Sequence, residues 1–476
     1  MMEKFYITTA IDYVNAPPHL GHALEKVQAD AIARYQRLLG KEVYFLTGTD
    51  EHGIKILRSA QEANKDVKEF VDENTEKFKE LIKKLNISNN DFIRTSDKKR
   101  HWPGAQALWK KLAEKEDIYK SKYKGYYCVG CEAYVTEKDL IDGRCPYHNM
   151  EPELIEEENY FFRLSKYIEK IKKKIKNNEL KIILESRKNE VLSMLDSEIS
   201  DISFSRPAEK LNWGVPVPGD PSQTIYVWCD ALTNYISVLG YGSSNEENFK
   251  KFWPADMHII GKDILRFHAV IWPAMLLSAG LDLPKRIFVH GFVLSEGKRM
   301  SKTIGNVINP FELINEHGTD AFRYYFLREI VPFEDGDITR EKFKEAYNAN
   351  LANGLGNLVS RIMKMSEQYL KSQISNLKSQ KLPDNYKKLM ENFELSKAMD
   401  LIWQKISELD LKIQETQPFK LIKTDENKTK EILGELVSGL YQIAIMLQPF
   451  LPETSEKIIE AVKSNKMPQP LFLRQE

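Results

Sequence analysis

Three short segments place reactive side chains at spacings that support chemistry. The first is Pro18-His19-Leu20-Gly21-His22. Two imidazoles three residues apart, where a turn opens into a helix, meet a polyphosphate with ring N–H groups and with the positive end of the helix dipole. Gly21 between them leaves the backbone bare, so that a purine and its ribose can approach. The same histidines would serve equally as plain helix-start caps. The second segment is Arg299-Met300-Ser301-Lys302-Thr303. A loop lysine can close on a triphosphate and stabilise charge as it develops, although Ser-Lys-Thr alone is also an ordinary solvated loop. The third is Cys128-Val129-Gly130-Cys131 followed, after thirteen intervening residues, by Cys145-Pro146-Tyr147-His148. Two such knuckles bring three thiolates and an imidazole to one tetrahedral ion, for which zinc is the expected metal. Four protein ligands leave no open position, so one structural Zn2+ is expected. Cys229 stands apart and reads as a small core residue.

These segments need a frame to hold them. Residues 4–11 are rich in β-branched and aromatic side chains and predict a strand. Asn15-Ala16-Pro17-Pro18 predicts a turn. Leu20, Leu24, Val27, Ala31 and Tyr35 then follow a helical period that ends at Gly40. Val43–Thr47 predicts a second strand, closed by Gly48-Thr49-Asp50-Glu51-His52-Gly53. Strand, helix, strand is the opening of a Rossmann-type, doubly wound parallel sheet in an α/β protein. Near Tyr119 the texture changes to short strands, glycines and cysteines, which predicts an insertion with a zinc-ribbon-like module. A lysine-rich helical stretch is expected over 165–198. The α/β texture resumes near Trp213, with strands expected at 225–228, 258–260 and 287–289. Beyond about 340 the chain predicts only helices, with Met399, Ile402, Ile406, Leu409 and Ile413 along one stripe.

Lys plus Arg and Asp plus Glu number 69 each, so formal charge is zero. That balance neither supports nor excludes an RNA partner, because a local basic face does that work. The lysines at 166, 170, 172, 173, 174 and 176 form one such stretch, read first as a solvated face. No apolar run approaches the roughly 20 residues of a membrane span, so no membrane partner is expected. Four cysteines, three of them clustered, fit a reducing cytoplasm better than a disulfide framework.

His19-Leu20-Gly21-His22 and Arg299-Met300-Ser301-Lys302-Thr303 together resemble the signatures of class I aminoacyl-tRNA synthetases. The clustered knuckles, Asn159–Ser165, Val227-Trp228-Cys229-Asp230-Ala231, Gly261-Lys262-Asp263 and Phe267–Pro273 narrow the resemblance to the methionyl-tRNA synthetases, over essentially the whole chain. Arg299 departs from the family's leading lysine, and Asp12 departs from an aromatic or proline. The resemblance implies activation of L-methionine by Mg2+-bound ATP and transfer to the 3′ end of initiator and elongator tRNA(Met). It assigns catalysis to His19, His22, Lys302 and Arg299, and ATP binding to His19, Gly21, His22, Gly261, Asp263 and Lys302. Around methionine it places Ala10, Ile11, Tyr13, Asp50, Trp228, Ala231, Leu232, Tyr235, Phe267, His268 and Trp272. Apolar walls suit a thioether, Tyr13 and His268 are expected to donate weakly toward its sulfur, and Asp50 is expected to take the ammonium. Arg206 matches a family arginine near the active centre. Asn353, Asn357 and Arg361 at i, i+4 and i+8, with Phe419 after Pro418, match the positions that read the anticodon.

The resemblance also implies a division of the chain. Residues 1–114 and 215–295 would form the catalytic Rossmann halves, 115–214 the connective insertion, 296–345 a stem-contact region, and 346–476 an α-helical anticodon-binding bundle. No C-terminal dimerising barrel is legible, so a monomer is expected. Other class I synthetases, a nucleotidyltransferase and a non-catalytic RNA-binding paralogue are the rival readings. The first lack a clustered zinc insertion or carry large editing insertions, the second are usually small, and the third should have lost Lys302, Asp50 or the histidines.

Overall fold

A computed structural model describes residues 2–135, 140–146, 149–197, 199–300, 306–370 and 381–476, with the side chains of Tyr123, Ala133, Tyr134 and Arg299 outside the description. The chain divides into two compact units. One holds Met1–Pro18, Lys41–Leu81 and Ser88–His290; the other holds His19–Gly40, Ile82–Ile87 and Gly291–Glu476.

The first unit is built on a parallel sheet of seven strands among the described residues. Their order is Asp12–Tyr13, Glu42–Asp50, Lys4–Thr9, Met257–Gly261, Arg286–His290 and Lys181–Ile182, with Asp91–Arg94 also paired to Glu42–Asp50. Phe5 to Thr9 are all buried, as a parallel strand covered on both faces requires. The strand expected over 4–11 stops at Thr9. The strand expected over 225–228 stops at Ile225, and Val227–Leu232 is a helix. There the β-forming residues Val227 and Trp228 yield to a tertiary demand: Asp230 on that helix is fully buried and meets two histidines from elsewhere in the chain.

Inside the expected insertion, Ile118–Cys128 and Glu153–Phe162 form a long antiparallel ladder flanked by Ala133–Val135 and Ile202–Ser203. The lysine-rich run is not continuous helix. Helices Ile168–Lys176 and Glu185–Asp196 enclose the strand Lys181–Ile182, which pairs parallel with Arg286 and Ile287. Ile182 is buried at that edge, so this segment returns to the parent sheet.

The second unit is mainly helical. It contains Leu20–Leu38, a small sheet of Val293–Ser295 with Lys298–Arg299 and Gly336–Asp337, and helices including Asn357–Tyr369, Leu395–Thr416, Glu426–Leu447 and Pro452–Ser464. Met399, Ile402, Ile406 and Ile413 are buried along the expected stripe, with Leu409 half-buried. No helix among the described residues is long and apolar enough to cross a membrane.

One buried cation ties Leu20–Leu38 to the rest of this unit. Arg323 is fully buried and lies 2.7 Å from Asp30. It also donates to the carbonyls of Leu85, Pro449 and Phe450 at 2.7–3.1 Å. Removing one partner of a buried pair leaves the other uncompensated, at a cost of about 3–5 kcal/mol. Arg323→Ala should therefore lower the denaturation midpoint of the purified chain by a corresponding amount. A loss below about 1 kcal/mol, the range of an exposed pair, would contradict this account.

Candidate active site

In the first unit the expected methionine-binding residues gather beyond the carboxyl ends of the parallel strands, where ligands of open α/β sheets bind. Ala10 and Ile11 follow the central strand, and the N–H of Ala10 donates to Ile259 at 3.0 Å. Tyr13 pairs in register with Asp50, at the end of the neighbouring strand. The helix Val227–Leu232 carries Trp228, Ala231 and Leu232. The next turn, Asn234–Ser237, carries Tyr235. Phe267 and His268 lie in a π-helical turn that runs into the helix Trp272–Ala279.

Ala10, Ile11, Tyr13, Trp228 and Phe267 are half-buried and pack against one cluster whose buried members include Leu232, Tyr235 and Trp272. Ala231 and His268 are buried as well. Trp228 and Phe267 stack with centroids 3.7 Å apart and planes 10° apart. Tyr235 and Trp272, both buried, form a separate ring contact with centroids 6.0 Å apart. The result is an aromatic rim over a buried apolar floor, which suits an uncharged, polarisable side chain.

Two details differ from expectation. His268 Nδ1 donates to the Ile264 carbonyl at 3.0 Å, so its Nε2 accepts from the Tyr235 hydroxyl at 2.8 Å. The Tyr13 hydroxyl donates to Glu132 at 2.8 Å. Both groups are thus committed within the protein and do not aim a donor at a substrate sulfur. Burial and Glu132 push the Tyr13 pKa well above its ordinary value, so it stays a phenol.

Asp50 is buried beside this cluster. Among the described residues its carboxylate accepts from the His52 N–H and the Thr95 hydroxyl, each at 3.4 Å. Burial, then the charge of Asp230, push its pKa well above the carboxylate range. Asp230 behaves oppositely. Burial alone would raise it, but His52 Nδ1 at 2.6 Å and His101 Nε2 at 2.7 Å hold it at about 2. His101 Nδ1 also meets Ser237 at 2.8 Å. Sequence reading did not find this His52–Asp230–His101 cluster. Its only linear signal is His52 in the Asp50–Gly53 turn.

Gly261 ends its strand, and Asp263 follows in a single helical turn, exposed. A Cβ on Gly261 would fall 2.7 Å from Asp263 Oδ1, so that carboxylate lies close over the strand end. Arg206 is buried, pairs with Glu157 at 2.8 Å and stacks over Tyr127. Its place is therefore fixed by the antiparallel ladder rather than by solvent.

The Sγ atoms of Cys128, Cys131 and Cys145 lie within 4.8 Å of one another. Thiolates on one tetrahedral zinc, with Zn–S near 2.3 Å, sit about 3.8 Å apart. The three thiols therefore fit a shared metal ion. His148 lies outside the described residues. Cys229 is buried in the core cluster, as expected.

In the second unit, His19 and His22 cap the helix Leu20–Leu38 reciprocally. His19 Nδ1 accepts from the Gly21 N–H at 3.0 Å, and His22 Nδ1 accepts from the His19 N–H at 3.1 Å. The rings stack at 3.7 Å. Since both Nδ1 atoms are acceptors, the hydrogen of each neutral ring sits on Nε2. The cap and the phosphate-donor readings are therefore compatible. A Cβ on Gly21 would meet the His19 ring at 2.9 Å; the glycine makes room for the histidine, a reason beyond nucleotide access. The His19 ring edge faces solvent, yet the protein packed around it, with Lys26, pushes its pKa down to about 4.

Arg299 pairs with Leu294 at the foot of its loop; Ser301, Lys302 and Thr303 lie outside the described residues. Asn353 falls in a π-helical segment, Tyr347–Gly356, that precedes Asn357–Tyr369. The regular α-helical face expected for Asn353, Asn357 and Arg361 is thus interrupted, though both amides are exposed. Arg361 is drawn to Asp410 on a neighbouring helix. Phe419 is 45% exposed on the turn Pro418–Leu421, as a stacking platform requires.

Comparison with known proteins agrees with this geometry. The family model described as tRNA synthetases class I (M) matches residues 5–152 and 137–363. A methionine–tRNA ligase of Thermotoga maritima is 42% identical over 98% of this chain and 76% of its own length. That of Brucella suis is 42% identical over 98% and 93% respectively. The fold matches Mycobacterium tuberculosis methionyl-tRNA synthetase in complex with methionyl-adenylate at TM-score 0.91 and 35% identity, over the whole of both chains. The fold and signatures are those of a class I tRNA synthetase. Within that class, the chain belongs to the methionine–tRNA ligase family.

Proposed function

We propose that this chain joins L-methionine to tRNA(Met) in two steps, adenylation by ATP followed by acyl transfer to the terminal ribose, for both initiator and elongator tRNA. The observation that supports methionine as substrate is the buried Asp50 beside an aromatic-rimmed apolar floor. A carboxylate in that position is suited to an ammonium, and the floor to a thioether. Ala10, Ile11, Tyr13, Trp228, Ala231, Leu232, Tyr235, Phe267, His268 and Trp272 are the proposed side-chain walls. His268 and Tyr13 act there by shape, since their polar atoms are engaged internally.

The methionine carboxylate attacks the α-phosphorus of Mg2+-bound ATP, the α–β bridging oxygen leaves with pyrophosphate, and no nucleophilic side chain is needed. His19 and His22 are proposed to meet the phosphates as charge develops, His19 with a neutral Nε2–H donor. Lys302 and Arg299 belong to the loop proposed to stabilise the triphosphate. Asp263 accepts from the ribose hydroxyls, with Gly261 giving backbone access. Asn353, Asn357, Arg361 and Phe419 are proposed to read the anticodon loop, a task that fits exposed amides and an exposed ring. Arg361 would have to exchange Asp410 for a base. The ion held by Cys128, Cys131, Cys145 and His148 is proposed to be one Zn2+. Three thiolates favour zinc over a hard cation, and the ion supplies structure rather than chemistry.

ATP–pyrophosphate exchange with each amino acid in turn tests this reading. Exchange should require methionine, and the same preparation should carry about one zinc per chain. Exchange driven by another amino acid, or by none, would overturn it.

A further inference from the structure

We infer that Glu132 is a positioning residue for the methionine pocket, holding Tyr13 through its carboxylate and Trp228 through the backbone of its own loop. The inference rests on the assignment of Tyr13 and Trp228 to that pocket.

Glu132 follows directly on the metal ligand Cys131 and is 5% exposed. Its φ of 51° is left-handed, a region that disfavours side chains other than asparagine or aspartate and costs nothing only to glycine. Its carboxylate meets three donors. Oε1 accepts from the Tyr13 hydroxyl at 2.8 Å and from the Lys55 N–H at 2.6 Å. Oε2 accepts from the Tyr127 hydroxyl. The Lys55 N–H belongs to the first turn of the helix Ile54–Glu62, whose own N-cap, Gly53, has no side chain to offer. Glu132 therefore caps that helix from a distant segment, and the positive end of the helix favours its charge.

Gly53 makes the meeting sterically possible. A Cβ there would fall 2.6 Å from the Tyr13 hydroxyl oxygen and 2.8 Å from Glu132 Oε1, and its φ of 110° suits glycine alone. From the other side, the Trp228 indole N–H donates to the Cys131 carbonyl at 3.3 Å, and the Tyr226 hydroxyl donates to the Glu132 carbonyl. Two rim residues from separate elements are thus hydrogen-bonded to one dipeptide, Cys131-Glu132. The metal knuckle is thereby joined to the place where the substrate side chain enters.

If Glu132 merely docks the inserted module, its loss lowers stability or metal content, and the folded fraction keeps its methionine KM. If it positions the rim, KM for methionine rises with kcat and the KM for ATP largely kept, because ground-state and transition-state binding fall together. We expect Glu132→Ala to raise the methionine KM by about tenfold or more, with kcat within about threefold and zinc content unchanged. Glu132→Gln, which keeps an acceptor for Tyr13 and Lys55, should recover most of that loss. Tyr13→Phe, which removes only the hydroxyl, should raise KM comparably, and combining it with Glu132→Ala should add little, since contacting residues are not additive.

An unchanged KM in Glu132→Ala, with a raised KM in Tyr13→Ala, would overturn the inference and leave the pocket assignment standing. An unchanged KM in both would overturn the pocket assignment as well. Should Glu132→Ala fail to fold or lose its zinc, Tyr13→Phe decides the matter, because it leaves the knuckle untouched; an unchanged KM there overturns the inference.

Discussion

Asp50→Asn is expected to reduce kcat/KM for methionine by about 30- to 4000-fold, because truncating one partner of a buried, hydrogen-bonded charge pair costs about 2–5 kcal/mol and each 1.4 kcal/mol is tenfold. The substitution keeps the shape of the side chain and removes its charge. Asp50 is an unusual carboxylate in the free protein: buried, held by two contacts of 3.4 Å, and facing the negative field of Asp230. Its pKa is therefore raised, and it binds a proton more readily than an exposed aspartate. A substrate ammonium reverses that preference, since an adjacent opposite charge favours the ionised form. Methionine binding should then expel a proton from Asp50 at pH values below its raised pKa. Asp230 contributes no proton, because His52 and His101 keep it ionised down to about pH 2. Calorimetry of methionine binding in two buffers of different ionisation enthalpy reads the release directly, and the release should vanish in Asp50→Asn. A variant whose kcat/KM stays within about threefold would remove Asp50 from the ammonium role.

The second large effect is expected at His19. Removing one preorganised donor to a developing oxyanion costs about 10²–10³ in kcat. Asparagine is among the preferred N-cap residues, so His19→Asn keeps the cap on Leu20–Leu38 while deleting the Nε2–H donor. Adenylate formation, measured by pyrophosphate exchange at saturating methionine and ATP, should fall by that factor with the denaturation midpoint little changed. The opposite pattern, a lower midpoint with an unchanged rate, would reduce His19 to a cap. Its pKa, pushed down to about 4, adds a sign: the ring is neutral from pH 6 to 8. His19 should therefore contribute no acid limb to the rate across that interval.

The readable parts of this molecule are those encoded by short spacings. Cys128, Cys131 and Cys145 converge because a knuckle turn and one return of the chain suffice to bring them together. His19 and His22 meet because an N-cap residue and the third residue of its helix cap each other reciprocally. The central strands were legible because residues buried on both faces leave an unbroken apolar and β-branched run. The unreadable parts depend on contacts across long separations. Asp230 lies 178 residues from His52 and 129 from His101, and that burial turns the segment holding Trp228 into helix where its local residues favour strand. Ile182 joins the parent sheet from within a lysine-rich run, since pairing at a sheet edge is decided by the partner strand. The ion pair of Arg361 with Asp410 on a neighbouring helix is likewise invisible in the sequence, since the two lie 49 residues apart.

By itself the sequence determined the family, the order of sheet, insertion and helical region, and the residue types proposed to meet phosphate, metal and thioether, because these follow from local periodicity and from motifs a few residues long. The tertiary structure alone decided how those residues are set. It set the tautomers of His19 and His22 and engaged His268 with Tyr235 and Tyr13 with Glu132. It buried Asp50 near the charge of Asp230 and joined the Cys131-Glu132 segment to Tyr13 and Trp228. The physical reason is common to all of these: protonation state, tautomer and side-chain direction are set by burial, by nearby charges and by partners within hydrogen-bond reach, and folding brings these together from across the chain.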